Sequence, residues 1–320
     1  MRGPLVGASL DFLTTTLVKR SARQCCRCWL DHGEKPYSQC TKGAFRVLCS
    51  EGLANRIATE GEKTSVDVFF AQDSGYLGAL GKKKFLQVLP ETLTNQVEES
   101  YRPGDNTWLP TSGRARVLVY SPERVKTEDL PKTLSELANP AFKKRVGWAP
   151  GNGSFQAHVS ALRAIWGDAK TEEWLASMKG VEPVVYPKNG VQVRAVSKGE
   201  IDMGWVNHYY LHKIKASNPD LKASNHSFAA GDAGNVMMLS GAGISAFSDN
   251  VEGATALLEF LVSEETQNTF AGKMFEYPTR PGVKTHPDVP ALTGAVVRVD
   301  QEALTDVGPT LAILRKLGLQ

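Results

Sequence analysis

Tyr209 and Tyr210 stand side by side, directly after an apolar run at 201–206 and directly before a run at 211–215 with the pattern of a helix start. In an open α/β sheet such a junction is where ligands bind, because loops converge there and helix amino-termini point inward. Neighbouring side chains on a regular strand face opposite ways, so two adjacent phenols can serve one ligand only from a turn or from the first turn of the helix. A phenol ionises at about pH 10, so two phenolates at neutral pH require a strong local cation. A hard, highly charged metal ion supplies that field, and anionic oxygen donors suit hard ions where thiolates suit soft ones. Fe(III) fits this donor pair best. The plainer expectation for a Tyr-Tyr pair is amphipathic packing with satisfied hydroxyls, and other residues must decide between the two.

Two further constellations carry chemistry. Residues 145–148 read as a strand that runs into Pro150-Gly151-Asn152-Gly153-Ser154, followed by an amphipathic helix over 155–166. Unpaired amides at such a helix start point at an anion. His208 and His212 have i, i+4 spacing on the helix after the tyrosines, which would suit a metal-dependent enzyme. No glutamate lies between them as in the zinc-protease motif, and no third ligand is evident.

The chain of 320 residues is long enough for two compact lobes. Its 42% hydrophobic and 22% charged content is that of a soluble globular protein, and no run approaches a membrane span. A net charge of +3 gives no argument for nucleic acid. The distribution says more: residues 1–50 hold 8 Lys/Arg against 3 Asp/Glu, and the rest hold 29 against 31. All five cysteines (Cys25, Cys26, Cys28, Cys40, Cys49) also lie before residue 50. Their spacing is poor for zinc, and a cysteine-free body suits an oxidising compartment.

The elements that must position the site begin at about residue 51. Helices are expected over 53–60, 77–80, 133–138, 155–166, 171–178, 191–198, 251–263 and 265–274, and strands over 66–70, 116–120, 145–148, 183–186, 201–206 and 235–240. Thr133 with Glu136 has capping-box spacing. Strands alternating with helices predict an α/β fold with mostly parallel sheets. Residues 1–50 show neither clean periodicity nor a recognisable signal peptide, since Asp11 and three threonines interrupt the apolar stretch and Arg20, Arg23 and Arg27 follow it.

Six motifs, in this order, resemble one family. They are Val66-Asp67-Val68-Phe69-Phe70-Ala71-Gln72-Asp73; Ser112-Gly113-Arg114 with Arg116-Val117; Gly190-Val191-Gln192-Val193-Arg194-Ala195-Val196; Gly199-Glu200-Ile201-Asp202; Val206-Asn207-His208-Tyr209-Tyr210; and Phe275-Glu276-Tyr277-Pro278. Together they resemble the ferric-ion-binding substrate proteins of bacterial ABC iron importers, over residues 51–320. The resemblance implies a two-lobed type II periplasmic-binding-protein fold, each lobe a mixed, mostly parallel sheet flanked by helices, with Fe(III) held in the interlobe cleft and passed to an inner-membrane permease. It implies a monomer that works in the periplasm or on the outer face of the cytoplasmic membrane, and no catalysis. The implied lobes are 51–115 with 240–320, and 116–239, with hinges near 116–120 and 235–240.

By the same resemblance Tyr209 and Tyr210 are the iron ligands, and carbonate or a similar synergistic anion completes the shell. Arg114 matches an arginine that holds the anion in some members. Asn152, Gly153 and Ser154 match the loop that touches it, and Asn189 and Asn207 match neighbouring positions. Ser112 falls in the second motif and joins this anion-side group. The departures are Gln72, with Asp73 beside it, where some members place a glutamate, and Phe155 where some place a tyrosine. The family's first strand and its metal-facing loop are not found within 1–50, where Tyr37 and His32 stand in no matching context. Residues 1–50 are therefore expected to be a non-native segment, from a translation-start or reading-frame error, leaving the first lobe incomplete. A small anion or organic solute is the alternative ligand for the same fold.

Overall fold

The computed structural model describes residues 16–18, 46–47, 50–290, 297, 299, 304 and 306–320, the backbone alone for 16–18, 46–47, 50 and 51. In chain order the elements are β1 (Thr16–Val18), β2 (Arg46–Val47), α1 (Ser50–Glu60), β3 (Val68–Ala71), α2 (Ser74–Lys82), α3 (Glu91–Thr94), β4 (Leu109–Tyr120), β5 (Val146–Trp148), α4 (Gly153–Trp166) and α5 (Asp168–Gly180). They continue with β6 (Val184–Val185), α6 (Asn189–Lys198), β7 (Met203–Asn207), α7 (Tyr209–Ser217), β8 (Ser224–His226), β9 (Met237–Ile244), α8 (Val251–Leu261), α9 (Glu264–Met274), β10 (Tyr277–Pro278) and α10 (Gly308–Lys316). The region expected as a helix over 133–138 is a 3-10 turn at Ser135–Ala138, with the Glu136 amide on Thr133 Oγ1 at 3.3 Å. No helix among the described residues is long and apolar enough to cross a membrane.

The chain divides into two compact units. The first comprises the described residues through Gly113 together with Leu239–Lys284. Its strands run in the order β2-β1-β3-β9-β4, with β10 also on β4. β1 pairs antiparallel with β3 (Leu17 opposite Phe69), and β3 pairs antiparallel with β9. A strand therefore lies on β3 where the sequence showed none; its three residues carry too short a pattern to register as a strand. The other expectations for residues 1–50, including the five cysteines, His32 and Tyr37, fall outside the described residues. The core of this unit joins Val68, Phe70, Leu93, Leu258 and Phe270.

The second unit is Arg114–Met238 with Thr285–Gln320. The C-terminal segment thus differs from the expected assignment of 240–320 to the first lobe. Its helix α10 buries Ile313 and Leu314 among Leu162, Trp174 and Leu175, and Thr310 meets Ser160 at 2.7 Å, so it packs on α4 and α5. The sheet runs β4-β7-β5-β6, with β8 on the other edge of β4. β5 is parallel to both β6 and β7, while β4 is antiparallel to β7 and β8. The sheets are mixed, with more antiparallel pairing than strand–helix alternation implies, because that alternation cannot report the direction of the long strand β4. Gly204 lets α6 lie close on β7, since a Cβ there would meet Gln192 Oε1 at 3.1 Å and Val119 Cγ1 at 3.3 Å.

Candidate functional site

Three parallel strands of the second unit each feed a helix at the same edge of the sheet: β5 into α4, β6 into α6, and β7 into α7. Their exposed amides and dipoles make that edge a place for negative charge. Each junction has its own local cause. Asn152 caps α4, its Oδ1 accepting from the Ser154 amide at 3.1 Å and from Ser154 Oγ at 2.6 Å. Phe155, Val159 and Leu162, spaced on one helical face, bury that helix. α6 ends at Gly199, in the left-handed conformation with φ 85°. α7 begins at Tyr209, one residue after β7 ends at Asn207.

That placement puts both phenols on the first turn of a helix. Their rings stack, with centroids 4.3 Å apart and planes 28° apart. Tyr209 is buried, with Lys213 Nζ 5.0 Å from its ring centroid. Tyr210 is half-buried, lies against the α6 start (3.5 Å from the position of a Cβ on Gly190), and makes no hydrogen bond among the described residues.

Beside the pair lies Arg116, which the sequence placed in a strand and in one of the six motifs without a role of its own. It stands opposite Asn207 in the β4–β7 register. Its guanidinium is fully buried and donates to Asn207 Oδ1 at 3.0 Å, to the Trp205 carbonyl at 2.8 Å and to Ser154 Oγ at 3.4 Å. It also lies 4.8 Å over the Trp205 ring. Burial pushes its pKa down to about 9 while Tyr210 and Tyr209 push it back up, so it is a cation at neutral pH. The signal that could have revealed it is the position itself: a charged residue within a β-branched strand has to be explained.

Asn152, Ser154, Asn189 and Asn207 come together around this guanidinium. Asn189 Nδ2 donates to Ser154 Oγ at 2.9 Å, and Asn189 and Asn207 are each 1% exposed. Gly153 is the first residue of α4. Arg114, two residues before Arg116 and on the same strand face, is buried, and its Nε has no hydrogen-bond partner among the described residues. Gln72, Asp73 and Ser112 belong to the first unit. There the Gln72 carbonyl accepts from Ser240 Oγ at 3.4 Å, Asp73 precedes α2 without a side-chain capping bond, and Ser112 Oγ donates to Glu276. Phe155 and Trp148 are core residues and contact each other edge-on at 5.7 Å.

His208 and His212 lie one helical turn apart at the start of α7. The Ala115 amide donates to His208 Nδ1 at 3.2 Å, and the two rings are 6.5 Å apart. Among the described residues no group of three or more His, Cys, Asp or Glu is placed to hold a metal ion.

Fold and site together define a solute-binding protein. The chain belongs to the family of bacterial extracellular solute-binding proteins, which it matches over residues 63–299. It is 32% identical to the major ferric iron-binding protein of Neisseria meningitidis serogroup A over 239 residues, 72% of this chain and 71% of that one. It is 30% identical to the Fe(3+)-binding periplasmic protein of Serratia marcescens over 238 residues, 73% and 70% of the two chains. Among solved structures it resembles iron-bound HitA from Pseudomonas aeruginosa with a TM-score of 0.80 and 29% identity, covering 86% of this chain and 90% of that one. The fold is that of the type II periplasmic binding proteins.

Proposed function

We propose that this chain is the substrate-binding component of an Fe(III) ABC importer. In this reading it works outside the cytoplasmic membrane and delivers its cargo to an inner-membrane permease. Tyr209 and Tyr210 hold the ion as phenolates, and a synergistic anion, carbonate or a similar oxyanion, sits at the α4 and α6 starts. There Ser154, the Gly153 amide and Asn189 offer hydrogen bonds, and Arg114 offers charge-assisted ones. The observation that carries the reading is the stacked phenol pair on a helix start beside a buried guanidinium that forms no ion pair with a carboxylate among the described residues. Two phenols and one cation make a poor packing core. They make a good site for an ion that converts phenols to phenolates, with an anion to complete the charge. The relatives named above bind ferric iron, which supports the same reading.

The test is a titration of the purified chain with Fe(III)-citrate, repeated with Tyr209→Phe and Tyr210→Phe. The expected result is a visible phenolate-to-iron charge-transfer band in the wild type that each substitution weakens or removes. A colourless wild type would overturn the iron reading. Binding of an anion alone by that protein would favour the second reading, a small-anion binder, which the buried Arg114 and the helix starts also suit.

A further inference from the structure

Arg116 enters the reading above only as a buried positive charge, yet its side chain reaches several parts of the site. Its contacts fall on two of the three strand–helix junctions: Asn207 and Trp205 at the β7 end, and Ser154 in the first turn of α4. Ser154 carries the connection to the third junction through Asn189 Nδ2. One rigid guanidinium thus ties together the strand that presents the phenols and the turns that would receive the anion. We propose that Arg116 is the positioning residue through which anion and metal binding are coupled in this site. The inference rests on the iron reading above.

The chemistry of the side chain supports it. A guanidinium is a planar fork that fixes several acceptors at once, which an ammonium on a flexible stem does not. All three acceptors here are neutral, so none of them cancels its charge. An anion at the Ser154 turn would be attracted by the same charge and would pull on the same hydrogen bonds. Moving the Ser154 end of the fork therefore moves the Asn207 end. A guanidinium that served only as core packing over Trp205 would stabilise the unit without transmitting anything.

The experiment separates these roles. Fe(III) retention against citrate is measured on the full chain from the visible band, in carbonate-free buffer and again with bicarbonate added, for wild type, Arg116→Gln and Arg116→Lys. Circular dichroism and thermal unfolding of the metal-free proteins are recorded alongside. In the wild type bicarbonate is expected to tighten retention by about tenfold, within the usual range of coupling between sites. In both variants the coloured complex should still form, with that ratio reduced to about twofold or less. Arg116→Lys, which keeps the charge and loses the fork, carries the test if Arg116→Gln does not fold. A wild-type ratio in either folded variant overturns the proposal. So does failure of both to fold, which would assign Arg116 to the core, and so does complete loss of iron binding in folded variants, which would make it a direct requirement of the phenol pair. A coloured wild type indifferent to bicarbonate overturns the coupling alone; a colourless one overturns the iron reading beneath it.

Discussion

Lowering the pH from about 7.5 to about 5 protonates His158 in the unfolded chain but not in the folded one, and the second unit should lose a calculable amount of stability. The ring is fully buried, 2.7 Å from the Ala233 carbonyl through Nε2 and 4.6 Å between centroids from Trp205. Burial and then the Arg116 charge push its pKa down to about 3, against the pull of the Ala233 carbonyl. In the unfolded chain a histidine titrates at about 6.5. The folded value is the lower one, so between the two the unfolded state binds more protons and stability falls as the pH falls. At about pH 5 the unfolded ring sits one and a half units below its pKa, which at ~1.4 kcal/mol per unit gives ~2 kcal/mol. The figure is insensitive to the exact native value, since any pKa under about 4 leaves the folded ring neutral at that pH. Urea unfolding of wild type and His158→Gln at the two pH values measures it. The wild type should lose ~2 kcal/mol more than the variant, and the other histidines cancel in the difference. Equal losses would refute the assignment of a buried neutral ring beneath Arg116.

Two further substitutions test the scaffold of the site. Trp205→Ala removes the ring on which Arg116, His158, Phe155 and Trp174 all converge; urea unfolding should show a loss of about 3–5 kcal/mol, and a loss under about 1 would mean the cluster is not the keystone of the unit. Asn152→Ala removes the α4 cap and should cost about 1 kcal/mol in the same assay. It should also leave Ser154 Oγ without its acceptor and weaken the bicarbonate effect on iron retention.

Much of the second unit can be read from sequence because its strands and helices alternate and its apolar runs are regular. The junction at Tyr209 is visible for that reason, and so is the loop at Asn152–Ser154. What the sequence hides is whatever depends on register. Whether Arg116 faces the core or the solvent is decided by which residue of β7 lies opposite it, and Asn207 is found there only once the two strands are paired. His158 is hidden in the same way: a histidine within an amphipathic helix gives no sign that its ring will stack on a tryptophan from another element. The C-terminal helix α10 escaped notice because its short apolar run gives no hint of its partner, and contacts such as Ser160–Thr310, with the burial of Ile313 and Leu314, settle which unit it joins. The β1 strand is three residues long and has no periodicity to read.

The charge of the second unit is the strongest physical argument that something anionic belongs at this edge. Arg114 and Arg116 lie on one face of β4, both buried, and neither forms an ion pair with a carboxylate among the described residues. Withdrawing a guanidinium from water costs several kcal/mol even after relaxation, and neutral acceptors return only part of it. Well-packed apolar side chains of similar volume would serve stability as well or better, so packing alone does not account for two such residues two positions apart. A ligand that arrives with negative charge does account for them. An oxyanion at the helix starts would supply the missing charge at the moment of binding, since a trivalent ion with two phenolates is itself still net positive. In the proposed reading the two buried guanidinium groups would attract that anion, and loading should stabilise the unit by the free energy of binding itself.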